Sequence, residues 1–346
     1  MHNIEAIDLF CGAGGLTYGL QKQKIRVLAG IDIDPACKYP YERNNATRFI
    51  LEDVKDIESE DLAAMFSDGA VRLLAGCAPC QPFSSMRRGA DTSQDQKWGL
   101  LEHFSRLVED IRPELVTMEN VPRVVNHGPF IAFRDKLVEL GYHVDFRVVQ
   151  CADFGLPQFR RRCVLMASKL GSITVPSGTG KKKSALAAIE GLPALKHGES
   201  SKADPLHRSR SLTSINAKRA KTAKAGGSWA DWPEDLRLEC HKRETGASFK
   251  SVYGRMQADK PAPTITTQFF NIGTGRFIHP NQDRGISLRE GAILQSFPKK
   301  YRFAKNDSEI SFAVTGRLIG NAVPPLLGQF IGKSFLSHVK DAYRGE

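Results

Sequence analysis

The stretch Ile4-Glu5-Ala6-Ile7-Asp8-Leu9-Phe10-Cys11-Gly12-Ala13-Gly14-Gly15 decides the fold. Its first six residues alternate and end beside Phe10, which reads as a β-strand. The glycines that follow make a turn, and Leu16-Thr17-Tyr18-Gly19-Leu20 reads as the start of a helix. A strand, a glycine turn and a helix in succession bring backbone amides close to a ligand. The glycine spacing departs from the dinucleotide fingerprint, which disfavours a pyrophosphate cofactor.

Two further strands end in acids. Val27-Leu28-Ala29-Gly30-Ile31 leads to Asp32, and Phe49-Ile50-Leu51 leads to Asp53. A carboxylate closing the second strand is placed to accept from both hydroxyls of a ribose. Asp53 suits an adenine amino group. Either acid alone could cap a helix or sit in a loop; three such sites in sequence favour a nucleoside.

The apolar run Val71-Arg72-Leu73-Leu74-Ala75 is a buried strand that opens into Gly76-Cys77-Ala78-Pro79-Cys80-Gln81-Pro82-Phe83-Ser84. Cys80 therefore stands on a loop at a strand end, between two stiffening prolines. A cysteine there can be a buried hydrophobe, half of a redox-active pair with Cys77, or a nucleophile. A zinc site would need a second ligand pair, which the spacing does not supply. The polar segment 84–97 lacks periodicity and reads as a loop able to close over a substrate. Leu100, Leu101, Phe104, Leu107, Val108 and Ile111 then recur at helical spacing. Leu115-Val116-Thr117-Met118 forms the next strand and ends at Glu119, one strand-helix unit after Cys80, hence at the same sheet edge. A helix through Phe133 and Leu140 and a strand over 142–149 follow. Gln158, Arg160 and Arg162 alternate toward one face of an extended segment, with Arg161 toward the other.

The 346 residues allow a large core, and no apolar run reaches the length of a membrane span. The N-terminus lacks a signal-peptide pattern, and seven scattered cysteines fit reduced thiols in the cytoplasm. The net charge is +11, and residues 171–284 carry 19 Lys/Arg against 10 Asp/Glu, or +9 of it. A basic section on a near-neutral body fits a polyanion partner. That section is irregular, holds Trp229 and Trp232, and contains strand-like pieces at 262–267 and 275–280. Regularity returns with a capped helix at Ser287 and a last helix opening at Gly316 and running through Leu326 to Val339.

Together these residues resemble the cytosine-C5 DNA methyltransferases that use S-adenosylmethionine. The resemblance lies in Asp8-Leu9-Phe10-Cys11-Gly12-Ala13-Gly14-Gly15, Pro79-Cys80-Gln81, Glu119-Asn120-Val121, and the trio Gln158, Arg160 and Arg162. It continues in Arg289-Glu290 with Gln295, Phe297 and Pro298, and in Gly320-Asn321-Ala322-Val323. The motifs follow the family's order and span nearly the whole chain. Asp32 stands where many members carry glutamate, and Ala78 fills a position that varies.

The resemblance implies an α/β, doubly wound, Rossmann-like catalytic domain at 1–170. It implies a smaller irregular target-recognition domain at 171–284 and a C-terminal segment, 285–346, returning to the first. Cys80 would add to carbon 6 of a flipped-out cytosine, making carbon 5 nucleophilic. Glu119 would hold a proton at nitrogen 3, and Arg162, with Arg160 beside it, would stabilise oxygen 2. Phe10, Gly12, Ala13, Gly14, Asp32, Ile33, Asp53, Val54, Pro79, Leu100 and Asn321 would hold S-adenosylmethionine, leaving S-adenosylhomocysteine. Ser84, Ser85, Arg87, Arg88, Arg255 and Thr264 would touch double-stranded DNA. No metal is needed. The expected enzyme is a monomeric, stand-alone bacterial or phage modification enzyme, acting on DNA in a bacterial cytoplasm; the sequence leaves open whether a restriction endonuclease, acting separately, accompanies it.

The rival readings are an RNA cytosine methyltransferase, a non-catalytic DNA-binding regulator and a redox enzyme built on Cys77 and Cys80. The transfer-RNA branch of the resemblance carries a late Cys-Phe-Thr, absent here. Motifs beginning at Asp8 leave no room ahead for a regulator's helix-turn-helix.

Overall fold

The computed structural model describes residues 3–78, 99–243 and 250–344. The first elements are β1 (Ile4–Leu9), α1 (Gly15–Lys22), β2 (Arg26–Asp32), α2 (Lys38–Asn45), β3 (Arg48–Leu51), α3 (Ser59–Ala63) and β4 (Val71–Gly76). Then come α4 (Gly99–Ile111), β5 (Leu115–Asn120), α5 (Gly128–Glu139), β6 (His143–Gln150) and β7 (Arg161–Ser168). The α-helices after β7 are α6 (Ala185–Ile189), α7 (Ser214–Thr222), α8 (Glu239–Lys242), α9 (Leu288–Leu294), α10 (Phe312–Asn321) and α11 (Pro325–Ala342). The chain divides into two compact units. One comprises Met1–Gln150, Arg161–Gly178 and Val323–Glu346; the other comprises Cys151–Arg160 and Thr179–Ala322.

The first unit is a mixed α/β layer structure on a seven-stranded sheet of order β3-β2-β1-β4-β5-β7-β6. β3 to β5 are parallel, β7 runs antiparallel to β5, and β6 antiparallel to β7. The order of connection reverses between β1 and β4, which makes that crevice the topological switch point where open α/β sheets bind ligands. Ile7, Leu9, Leu74, Val116 and Met118 share one core with Leu101, Phe104, Leu107 and Val108 of α4 and Phe130, Phe133 and Leu137 of α5. The residues between them, Ala6, Ala29 and Leu73, are equally buried. Both faces are therefore covered, which is why these strands read as apolar runs.

Two helices of this unit meet at glycines. A Cβ on Gly19 would collide with the Pro325 carbonyl oxygen, and one on Gly328 would stand 3.0 Å from that of Leu16. α1 and α11 thus approach backbone to backbone. The single last helix expected from Gly316 to Val339 is two helices. Ala322 and Pro324 are extended between them. Pro324 and Pro325 lack the amides a continuous helix needs, and each disfavours helical backbone in the residue before it.

The second unit has little regular structure. In the expected strand pieces, Ala262 and Ile278 form isolated bridges, to Gln158 and to Arg255 and Gly285. Irregular backbone leaves carbonyls to satisfy, and buried arginines satisfy many of them. Arg255 donates to Ala220, Ala223, His279 and Gln282, and Arg219 to Leu236. Arg284 forks onto Glu290, which also accepts the Ser287 amide. Burial alone would raise the Glu290 carboxyl, but Arg284 and His279 hold it below the usual range. Trp229 stacks on His241 at 4.3 Å and shares a small core with Trp232 and Leu236. Residues 285–322, expected to return to the first domain, group with this unit instead. Glycines 291, 316 and 320 abut Phe269, Phe270 and Thr266, and the return comes at Val323.

Candidate active site

Register brings three strands' residues together at one sheet edge. β4 pairs Gly76 with Met118, so Cys77 comes level with Glu119. β7 enters antiparallel, pairing Cys163 with Asn120 and Val164 with Glu119, so its first residues lie at the same edge. Glu119 is 3% exposed. Its Oε1 lies 2.9 Å from Arg162 Nε, and its Oε2 accepts from the Cys77 thiol at 3.1 Å. A buried carboxylate demands partners of this kind. Asn120 donates to the Ala78 carbonyl at 3.2 Å, and the Cys77 amide donates to Leu9 at 3.3 Å. The chain is thus anchored at Cys77 and Ala78, just before Pro79.

Pro79, Cys80, Ser84, Ser85, Arg87 and Arg88 lie outside the described residues. Two described thiols are unsuited to attack. Burial, then the Glu119 charge, pushes Cys163 up to about 12. Burial, with Asp8 and Asp32 nearby, pushes Cys11 well above its ordinary value. Both stay protonated and poorly nucleophilic at neutral pH.

Arg160 corrects an expectation. It was expected beside Arg162 at the substrate oxygen, but its guanidinium is 2% exposed and donates to the carbonyls of Ile265, Gly320 and Ala322. Gln158 joins the same unit, bonding Leu294, Gln295 and the Ile265 amide. The alternation is real, but β7 begins at Arg161, so only Arg162 belongs to the sheet.

At the end of β1 the backbone is left-handed at Phe10, Gly12 and Gly14, with φ of 55°, 54° and 85°. For Phe10 this is a strained conformation, of the kind that ligand loops retain. Asp32 accepts the amides of Gly12 and Asp34, each at 2.9 Å. A Cβ on Gly12 would meet nothing within 4 Å, and Ile33 beside it is 64% exposed. Open space over a tight loop, a carboxylate at the second strand's end and an exposed apolar side chain fit an adenosyl group. Ala13 is buried in the same loop. Asp53 caps the turn at Lys55, whose ammonium lies 3.6 Å away. Val54 is part of the core, and its carbonyl accepts from Arg106 at 3.4 Å. Leu100 is half-buried in the first turn of α4, and Asn321 is exposed at the end of α10 in the second unit.

Of the described residues expected to touch DNA, Arg255 is corrected. It is 8% exposed, caged by carbonyls and paired with Asp283, so it supports the fold and does not read bases. Thr264 is half-buried and donates to Phe159 at 2.7 Å. Among the described residues no group of three or more His, Cys, Asp or Glu could hold a metal, and no helix is long and apolar enough to cross a membrane.

The family described as C-5 cytosine-specific DNA methylase matches residues 4–337. The chain belongs to this family. Similar proteins include the Type II methylase M.HgiDII of Herpetosiphon aurantiacus, 48% identical over 95% of this chain and 94% of that one. The Type II methyltransferase M1.HphI of Haemophilus parahaemolyticus is 31% identical over 95% and 86%. A solved structure named as a prophage-encoded DNA modification methyltransferase of Escherichia coli superposes with a TM-score of 0.73. It covers 98% of this chain and 100% of its own at 21% identity, a likeness of fold. Family membership makes the chain a DNA cytosine-C5 methyltransferase, supports S-adenosylmethionine as donor, and favours DNA over RNA as substrate. Sequence reasoning gave Cys77 no part in methyl transfer and assigned Asn120 no role. Only the strand register, which no local pattern carries, brings both to the site.

Proposed function

We propose that this methyltransferase modifies one cytosine of a specific duplex word, after that base leaves the stack. The observation that carries the reading is the buried Glu119–Arg162 pair, 2.9 Å apart, level with the strand exit that leads to Cys80. The Cys80 thiolate adds to carbon 6, forming a sulfur–carbon bond and sending the ring's double-bond electrons toward carbon 5. Glu119 protonates nitrogen 3 and accepts from the 4-amino group, which removes the negative charge that addition builds on the ring. Arg162 stabilises oxygen 2. S-adenosylmethionine supplies an electrophilic methyl group to carbon 5. Solvent water takes the carbon 5 proton, the Cys80 thiolate departs, and Glu119 takes back the nitrogen 3 proton, which restores the ring. Phe10, Gly12, Ala13, Gly14, Asp32, Ile33, Asp53, Val54, Pro79 and Leu100 hold the donor.

The second unit is the target-recognition domain in this reading, supported by its exposed lysines. Ser84, Ser85, Arg87, Arg88 and Thr264 contact the duplex. The enzyme works as a monomer in the bacterial cytoplasm. The relatives' Type II names support a separately acting endonuclease.

A duplex carrying 5-fluorocytosine in the recognised word tests the central step, because fluorine blocks release of the adduct. The expected outcome is a stable protein–DNA adduct through Cys80 that Cys80→Ala does not form. Methyl transfer to ordinary duplex by Cys80→Ala would overturn the assignment. Labelled donor offered with duplex and with transfer RNA is expected to mark the duplex.

A further inference from the structure

We propose that Cys77 is a positioning residue for Glu119, fixing the plane of its carboxyl group for the flipped base. The inference rests on the reading in which Glu119 meets the ring. A carboxyl group turns about a broad, roughly two-fold terminal torsion, so one contact leaves its plane poorly defined. Arg162 supplies an ion pair at 2.9 Å to Oε1, yet that oxygen has no aligned hydrogen bond among the described residues. The Cys77 thiol supplies the directional contact, donating to Oε2 at 3.1 Å. The directional thiol contact on Oε2, with the guanidinium charge beside Oε1, sets the plane, and each oxygen keeps a lone pair for nitrogen 3 or the 4-amino group.

Placement favours this role over simple filling of space. Cys77 is half-buried, whereas Cys163, also beside Glu119, is fully buried in the β-sheet core. The Cys77 amide is tied to Leu9 and the next carbonyl to Asn120, so the main chain holds the thiol in place. Cys77 does not touch the ring, and methylation survives its loss at a reduced rate.

The test is steady-state kinetics of Cys77→Ala and Cys77→Ser on duplex substrate, with adduct formation on 5-fluorocytosine as a second readout. For Cys77→Ala, kcat and the adduct rate should fall about tenfold, the loss expected for one hydrogen bond to a charged group. KM for duplex and for donor should stay within about twofold, because only an interaction made at the reacting ring is weakened. Serine keeps a donor, so Cys77→Ser should recover most of the rate. Wild-type kcat in Cys77→Ala would overturn the proposal. So would equal losses in the alanine and serine variants together with a lowered melting temperature, the mark of a structural role. Cys80→Ala and Glu119→Gln run alongside. If they abolish methylation while Cys77→Ala is unaffected, the Cys77 role alone fails. If Cys80→Ala retains methylation, the mechanism beneath it fails.

Discussion

Two buried titratable side chains, one in each unit, respond to pH in opposite senses. Asp8 is fully buried in β1. Burial pushes its carboxyl up to about 7 despite a hydrogen bond from Thr17, and the Asp32 charge adds to the rise. Its unfolded value lies near 3.8, so the folded chain holds the extra proton between those values. Its contribution to stability is therefore lost as pH rises from about 4 to about 7. In His279, burial lowers the imidazole to about 4 from 6.5, partly offset by Glu290. The unfolded chain takes up that proton first, so this contribution is lost as pH falls from about 6.5 to about 4. The stability of wild type relative to Asp8→Asn should fall as pH rises across 4 to 7, by on the order of 4 kcal/mol. Denaturant melts at several pH values read it directly, and a gap independent of pH would refute the burial argument. Residue types were legible here in part: the acids at strand ends could be read from sequence. The fate of each arginine could not: Arg160 is received by backbone carbonyls and Arg162 by the Glu119 carboxylate, partners that lie far away in sequence.

At the scale of elements, the crossing of α1 and α11 depends on two hydrogen-sized side chains. Gly19→Val should lower stability by about 2 kcal/mol or more, since the Pro325 carbonyl and the Gln329 amide occupy the space its Cβ needs. Thermal unfolding measures this, and an unchanged melting temperature would mean the helices separate freely. The strands of this sheet were legible because both faces are buried and apolar runs mark them. Their order was not. The antiparallel entry of β7, which delivers Arg162 to Glu119, arises from long-range pairing that local periodicity does not encode. The break at Pro324 was written in the sequence as two adjacent prolines, but the apolar pattern on either side masked it.

Over the whole molecule, arginines and lysines of the basic section have different roles. Arg219, Arg255 and Arg284 are buried on carbonyls or carboxylates, whereas Lys218, Lys221 and Lys224 in and beside α7 are exposed. Net charge was legible from composition; this division was not, because it depends on which irregular carbonyls need donors. The triple variant Lys218→Glu, Lys221→Glu, Lys224→Glu should bind duplex at least about tenfold more weakly at physiological salt. The slope of log affinity against log salt should fall by about 1 for each lysine that meets a phosphate. Filter binding across salt concentrations measures both, and an unaltered slope would move the duplex to another face.

The path of the chain through its two units limits how such enzymes can trade specificity. The second unit is assembled from 151–160 as well as 179–322, and Gln158 and Arg160 bind the backbone at Ile265 and Gly320. A chimaera that exchanges 171–284 alone would leave those two side chains facing a foreign partner. A transplant that carries both segments keeps each polar group with the carbonyl it was selected to meet.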